Sequence, residues 1–182
     1  FLQNHGLIIT SNNINDIVKI TEIVLEKIEK YLKINMKKYK LTNKISKIIN
    51  SFQKKQHISY LSEDKYLNEQ LKKNKKLFLQ KPFCPDSLVF CGVSAVVLKN
   101  LTDFASLRKY LKKYSQLPKV IIYNKHLFFN AMNIKKAKDA EEVMKFHIMV
   151  LVQSMGKNIN FLKLDELSYL SNWEAEKFRQ KI

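Results

Sequence analysis

Apolar residues recur along this chain in two rhythms. Leu7-Ile8-Ile9 is a short run rich in β-branched residues, which predicts a strand buried on at least one face. The polar cluster Thr10-Ser11-Asn12-Asn13 then predicts a turn. From about Asn15 to Lys33 the rhythm changes. Ile17, Ile20, Val24, Ile28 and Tyr31 return every three or four residues and draw one apolar stripe along a helix. Asn13 or Asn15 is suited to cap it. On its wet side Glu26–Lys30 and Glu29–Lys33 stand at the favourable i,i+4 spacing.

Residues 34 to 81 are rich in Lys and Asn, and their apolar positions are sparser. Leu41, Ile45, Ile48, Ile49 and Phe52 predict a short amphipathic helix, and Leu67, Leu71 and Leu77 to Leu79 predict another. Ser62-Glu63-Asp64 is suited to start the second. The stretch reads as a connector lying over a core, with a boundary near 55. Pro82-Phe83-Cys84-Pro85-Asp86 is an extended lead-in, because a residue before Pro is pushed out of the helical basin. Ser87 to Leu98 is apolar and β-branched around Gly92, and predicts one or two buried strands. Phe104 to Tyr114 reads as a helix, Lys119 to Tyr123 and Leu127 to Phe129 as strands, and Lys135 to Met155 as a second long helix. Leu162 to Ile182 reads as helical in two parts, with Trp173 and Phe178 as anchors. Together these elements predict an α/β fold, a mixed sheet with helices on its faces.

An echo runs through this pattern. At an offset of 120, Asn4, Leu7, Asn13, Ile14 and Glu22 fall on Asn124, Leu127, Asn133, Ile134 and Glu142, five identities in 19 positions. Both segments read as strand, polar turn and long helix. His5 falls on Lys125, so the second copy has no histidine where the first has one.

Composition narrows the chemistry. The three glycines, Gly6, Gly92 and Gly156, lie too far apart for a P-loop or a dinucleotide fingerprint. The 33 cations outnumber the 16 acids, giving a net charge of +17. That excess suggests an acidic partner, and the Lys-rich stretch 27 to 81 is where polyanion binding would lie. However, only Arg108 and Arg179 carry the forked guanidinium that nucleic-acid surfaces favour. Tyr31, Tyr39, Phe52, Tyr60, Tyr66 and Phe78 are spaced like packing residues rather than a stacking platform. The charge therefore reads as solvated lysine faces on a chain with an AT-rich coding bias, and nucleic acid is not expected as a partner. Cys84 and Cys91 are too few for a disulfide scaffold. No apolar run reaches the length of a membrane span. With no signal peptide, the expected location is the cytoplasm. The chain starts at Phe1 rather than Met, so it is expected to be a piece of a longer protein.

The histidines are His5, His57, His126 and His147, and no two form a ligand pair of the HxH or HxxxH kind. His57, His126 and His147 read as structural, with His147 on an apolar helix face. Among the acids, Asp86, Asp165, Glu166, Glu174 and Glu176 stand out, yet Glu174 and Glu176 would point to different helix faces and so make no obvious catalytic pair. The cysteines have no basic neighbour in sequence and read as inert.

One segment is more specific. Phe1-Leu2-Gln3-Asn4-His5-Gly6-Leu7-Ile8 places an apolar pair before Asn-His-Gly and an apolar strand after it. It resembles the strand that carries the last metal-binding histidine of the class II aldolase/adducin family. The resemblance continues loosely through Pro82-x-x-Pro85-Asp86, Pro118 to Ile122, Leu127 to Phe129, Ala137 to Met149 and Trp173 to Glu176. These are similar to the C-terminal module of longer members, including those fused to a short-chain dehydrogenase. The resemblance implies residues 1–35 as the end of an aldolase-like domain, 36–81 as the Lys-rich helical connector and 82–182 as the C-terminal α/β module. The whole would be the C-terminal fragment of an αβα-layered protein.

The resemblance also implies a chemistry. A divalent metal, usually zinc in the family, would be held by His5 and two histidines upstream of this chain. Asn4 would hydrogen-bond a neighbouring loop, and Gly6 would let the backbone pass close to the site. The metal, with an open position, would polarise the oxygens of a sugar or sugar phosphate during aldol cleavage. No catalytic residue proper falls in this chain. The parent would be a lyase and a homo-oligomer, and the fragment alone inactive. The alternative is a non-catalytic interaction or oligomerisation module of an aldolase/adducin-like protein.

Overall fold

The computed structural model describes residues 2–4, 6–154 and 158–173. The chain divides into two compact units, Phe1–Lys38 and Tyr39–Ile182.

In the first unit, Leu2 and Gly6 close a tight loop through two backbone hydrogen bonds of 2.8 and 3.1 Å. Residues 7–11 form no strand, which corrects the expectation for Leu7 to Ile9. A strand exists only through a ladder of partners, and within its own unit this segment has none. Helix α1 (Ile14–Leu32) follows as predicted. Asn13 is its cap, with Oδ1 accepting from the Asn15 N–H at 2.9 Å. Asp16 in the first turn and Lys30 in the last suit the helix dipole, and Lys33 ends the helix in the left-handed region. None of its side chains is buried.

The second unit contains a sheet with helices on both faces. Its elements run α2 (Lys37–Asn50, which starts at the end of the first unit), β1 (Ile58–Leu61), α3 (Lys65–Lys73), a 3₁₀ turn (Lys75–Leu79), α4 (Pro85–Cys91), β2 (Val96–Val97) and α5 (Phe104–Tyr114). They continue with β3 (Val120–Tyr123), β4 (His126–Ala131), α6 (Ile134–Gln153) and α7 (Leu164–Asn172). The strand order is β1-β4-β3-β2, with β2 parallel to β3 and the other pairs antiparallel. The architecture is therefore α/β with a mixed sheet, as the pattern predicts.

Alternation along β3 and β4 builds two cores. Val120, Ile122, Leu127 and Phe129 join Leu67, Phe78, Ala137, Met144 and Ile148 on one face. Ile121 and Phe128 join Ile45, Ile49, Leu107 and Tyr110 on the other. Asn124 and Lys125 turn the β3–β4 hairpin with φ of 48° and 63°. Positive φ at both positions matches the right-handed twist of the flanking strands.

Two further expectations are corrected here. Strand β1 was not anticipated in the Lys-rich stretch. Ser59 and Leu61 are buried and alternate with half-buried Ile58 and Tyr60, a period too brief to stand out in four residues. Its neighbours Ile45, Ile49 and Leu67 reach the core, so the stretch does not simply lie over it. Ser87 to Cys91 is helical rather than extended. Pro85 occupies the first turn of α4, where its fixed φ and missing N–H cost nothing, and Asp86 favours the N-terminal end. Ser87, Leu88, Val89 and Cys91 are all buried and only Pro85 and Asp86 in the first turn are exposed, so the short helix shows no repeating wet face to reveal its period. Only Val96–Val97 of that stretch is strand.

Candidate functional site

Asn4 and Gly6 hold the loop around position 5 in unusual backbone geometry. Asn4 has φ 61° and Gly6 has φ 107°. Asn is among the few side chains tolerated at the first angle, and the second is a glycine conformation. Nothing lies within 4 Å of where a Gly6 Cβ would be, so backbone angle and not crowding accounts for glycine there. His5 itself lies outside the described residues. So do Glu174, Glu176 and Phe178.

The metal that the resemblance implies needs more donors than this. Among the described residues no group of three or more His, Cys, Asp or Glu side chains is placed to hold an ion. One histidine does not make a closed or catalytic zinc site. The described residues therefore do not make a complete metal centre.

The other histidines behave as structural groups. His147 is 4% exposed on the inner face of α6. Its Nδ1 lies 3.2 Å from Ser87 Oγ, and its ring stacks on Phe83 with centroids 4.8 Å apart. Burial pushes its pKa down to about 4, so the imidazole is neutral near pH 7. Ser87 Oγ is also 3.2 Å from Cys84 Sγ. This Cys84–Ser87–His147 chain has the residue types of a nucleophile and base. A neutral imidazole this reluctant to take a proton is a poor base for a thiol, and Ser87 is buried. His57 is half-buried, and its backbone is pinned to α2 through both ends of the Asn50 amide, at 2.8 and 2.9 Å. Burial, then the ammonium groups of Lys119 and Lys55, lower its pKa. His126 lies in β4 with its ring edge-on to Phe128.

Both cysteines are free thiols. Cys91 is buried, and burial pushes its thiol far up, so it is inert as expected. Trp173 is 46% exposed and stacks on Tyr169, so it is less of an anchor than the sequence suggests.

A carboxylate that the motif reading missed sits on α6. Glu141 is 8% exposed, and its Oε1 has no hydrogen-bond partner among the described residues. Burial raises its pKa and the Asp64 charge reinforces the rise, while the nearby hydroxyls of Ser62 and Tyr60 pull the other way, Ser62 Oγ without reaching hydrogen-bond geometry. Nearby, Asp64 caps α3 through the Leu67 N–H at 2.8 Å and accepts from Lys145 Nζ, also at 2.8 Å. Burial opposes the charged form of Asp64, but Lys145 and the backbone N–H outweigh it and hold the carboxyl below its usual range. The signal for Glu141 was spacing. It falls in register with Ala137, Met144 and Ile148, the buried stripe of α6.

No helix among the described residues is long and apolar enough to cross a membrane. No protein-family model matches the chain. No curated protein matches it either. Among solved structures, the chain is similar to YgbL from Klebsiella pneumoniae, described as a proposed aldolase/epimerase/decarboxylase. The identity is 14%, the TM-score 0.42, and the match covers 62% of this chain and 56% of that one. The chain thus spans little more than half of that protein's length. A likeness this slight assigns no activity.

Proposed function

We propose that this chain is the C-terminal portion of a metal-dependent class II aldolase-like protein that cleaves a sugar or sugar phosphate. The observation that carries the reading is the Asn4-His5-Gly6 loop. Asn4 and Gly6 both take positive φ, Leu2 and Gly6 clamp the loop, and an Asn-capped helix follows. In this proposal the turn at Asn4 and Gly6 would serve to present the side chain between them as a metal ligand. The remaining ligands, histidines in this proposal, would come from residues outside this sequence. Bound there, a divalent cation such as zinc would supply Lewis-acid polarisation of substrate oxygens. A cytoplasmic location and a homo-oligomeric parent belong to the same proposal.

A second reading is favoured by a separate observation. Ile14, Val18, Leu25 and Leu32 of α1 are each about half or more exposed, so its own unit leaves a large apolar face uncovered. That face suits a non-catalytic interaction or oligomerisation module. One experiment separates the two. Zinc content and aldol cleavage are measured on the longer parent and on its His5→Ala variant. Loss of both in the variant is expected, by at least about tenfold in metal affinity. Metal occupancy that survives His5→Ala overturns the aldolase reading and leaves the module.

A further inference from the structure

A cleft of about 440 Å³ opens in the second unit beside α4, the C-terminal end of α5 and α7. That volume is in the range of small-molecule sites, about 300 to 1,000 Å³. Its lining is mixed. Leu88, Val93, Leu167 and Leu170 supply an apolar wall, and Lys113, Gln116 and Lys119 bring polar groups.

Lys119 is the unusual member. It stands just before β3, between buried Pro118 and buried Val120, and its stem packs near Gly92. Its Nζ donates to the carbonyl oxygen of Val89, in the last turn of α4. Burial holds its pKa below the ordinary lysine range, and the Cys91 thiol and Lys136 ammonium act on it more weakly. Among the described residues no carboxylate shifts it, and no Asp or Glu lines the cleft. Asp165 and Glu166 on α7 are exposed and are not part of the wall. A desolvated cation with one carbonyl partner is costly, and an arriving anion offsets that cost.

We infer that this cleft binds a small organic anion, with its charged head at Lys119 and Lys113 and its apolar body against the leucine and valine wall. A bare inorganic ion would leave that wall unfilled. A neutral apolar molecule would leave Lys119 without a counter-charge. The inference is independent of the metal assignment, since every lining residue lies beyond Tyr39.

Octanoate is a suitable probe, with inorganic phosphate and uncharged octanamide as comparisons. Each is titrated into the labelled chain while backbone amides are followed by NMR. Octanoate is expected to give saturable shifts at Val93, Ser115 and Leu167. Phosphate and octanamide should each bind at least about tenfold more weakly, the worth of one charge-assisted contact or of the buried body. Lys119→Met keeps the stem and removes the charge, and should weaken octanoate by a similar factor. Lys72→Met, in a separate cleft lined by exposed lysines, should leave it unchanged. Shifts scattered over the lysine faces overturn the inference. So does octanamide binding as tightly as octanoate to the wild-type chain, whether or not the variants fold.

Discussion

Helices α1 and α6 begin alike and end in different circumstances. They are 19 and 20 residues long, and each is opened by an Asn whose side chain accepts an N–H of the first turn, at 2.9 Å in both. The loops 120 residues apart also agree, because Asn4 and Asn124 both take positive φ, 61° and 48°. The segments then part. Leu127 to Phe129 lies in a strand paired on both sides, and α6 buries Ala137, Ala140, Met144, Ile148 and Leu151 against the sheet. Leu7 to Ile9 pairs with nothing in its unit, and α1 buries no side chain. Local sequence specifies the cap, the turn and the helix. Burial requires a surface that the local sequence does not contain.

The largest test of this contrast is truncation on each stripe. Ile148→Ala removes a fully buried side chain and should cost about 2–5 kcal/mol in urea unfolding, because the cavity it leaves adds to the lost transfer energy. Ile20→Ala, at a site 40% exposed, should cost less than about 0.5 kcal/mol. Equal costs would mean that α1 is buried in solution and would break the comparison.

The same contrast explains what was legible in the sequence. Helix α5 matches its expectation residue for residue, because Leu107 and Tyr110 mark one buried side against lysines on the other. Strand β3, β4 and both long helices were equally plain. The failures have one cause in common. Leu7 to Ile9 has strand composition and no ladder, α4 is seven residues long and mostly buried, which hides its period, and β1 is four residues long in a polar setting. Each depends on what packs against it. The site was legible unevenly. His147 was read as a core histidine, and it is one. Glu141 is hard to single out, because a carboxylate beside Glu142 looks like part of a wet face until its register with Met144 and Ile148 is counted. Lys119 carried no signal, since its burial comes from α4, distant in sequence.

A smaller effect distinguishes the helices by pH. The unfolded chain protonates His147 near its ordinary value of 6.5, and the folded chain only at about 4. Between those values the unfolded state holds more protons. Acidification through that window therefore erodes stability, by at most about 1.4 kcal/mol per pH unit from this group. His147→Gln should flatten the wild-type slope of unfolding free energy from pH 6.5 to 4. Glu141, with a raised pKa, binds protons more readily when folded and acts in the opposite sense, so the difference between variant and wild type isolates the histidine. An unchanged slope would mean that the imidazole is solvated, and α6 would lose its clearest distinction from α1, which carries no histidine.

The smallest effect lies at the caps themselves. Asn13 Oδ1 and Asn133 Oδ1 each satisfy one N–H that the helix would otherwise leave open. As local interactions they are equivalent, and Asn→Ala at such a position costs about 1 kcal/mol. Where that cost appears should differ. Opening α6 exposes the core against the sheet, so Asn133→Ala should lower the global unfolding free energy by the full amount. Opening α1 exposes no buried side chain, so Asn13→Ala should leave the global transition unchanged and speed hydrogen exchange only at the first amides of α1, beginning with Asn15. Both measurements use the same chain under the same conditions. If Asn13→Ala lowers the global transition as far as Asn133→Ala, the cooperative unit includes α1 and the contrast between the two helices fails at its root.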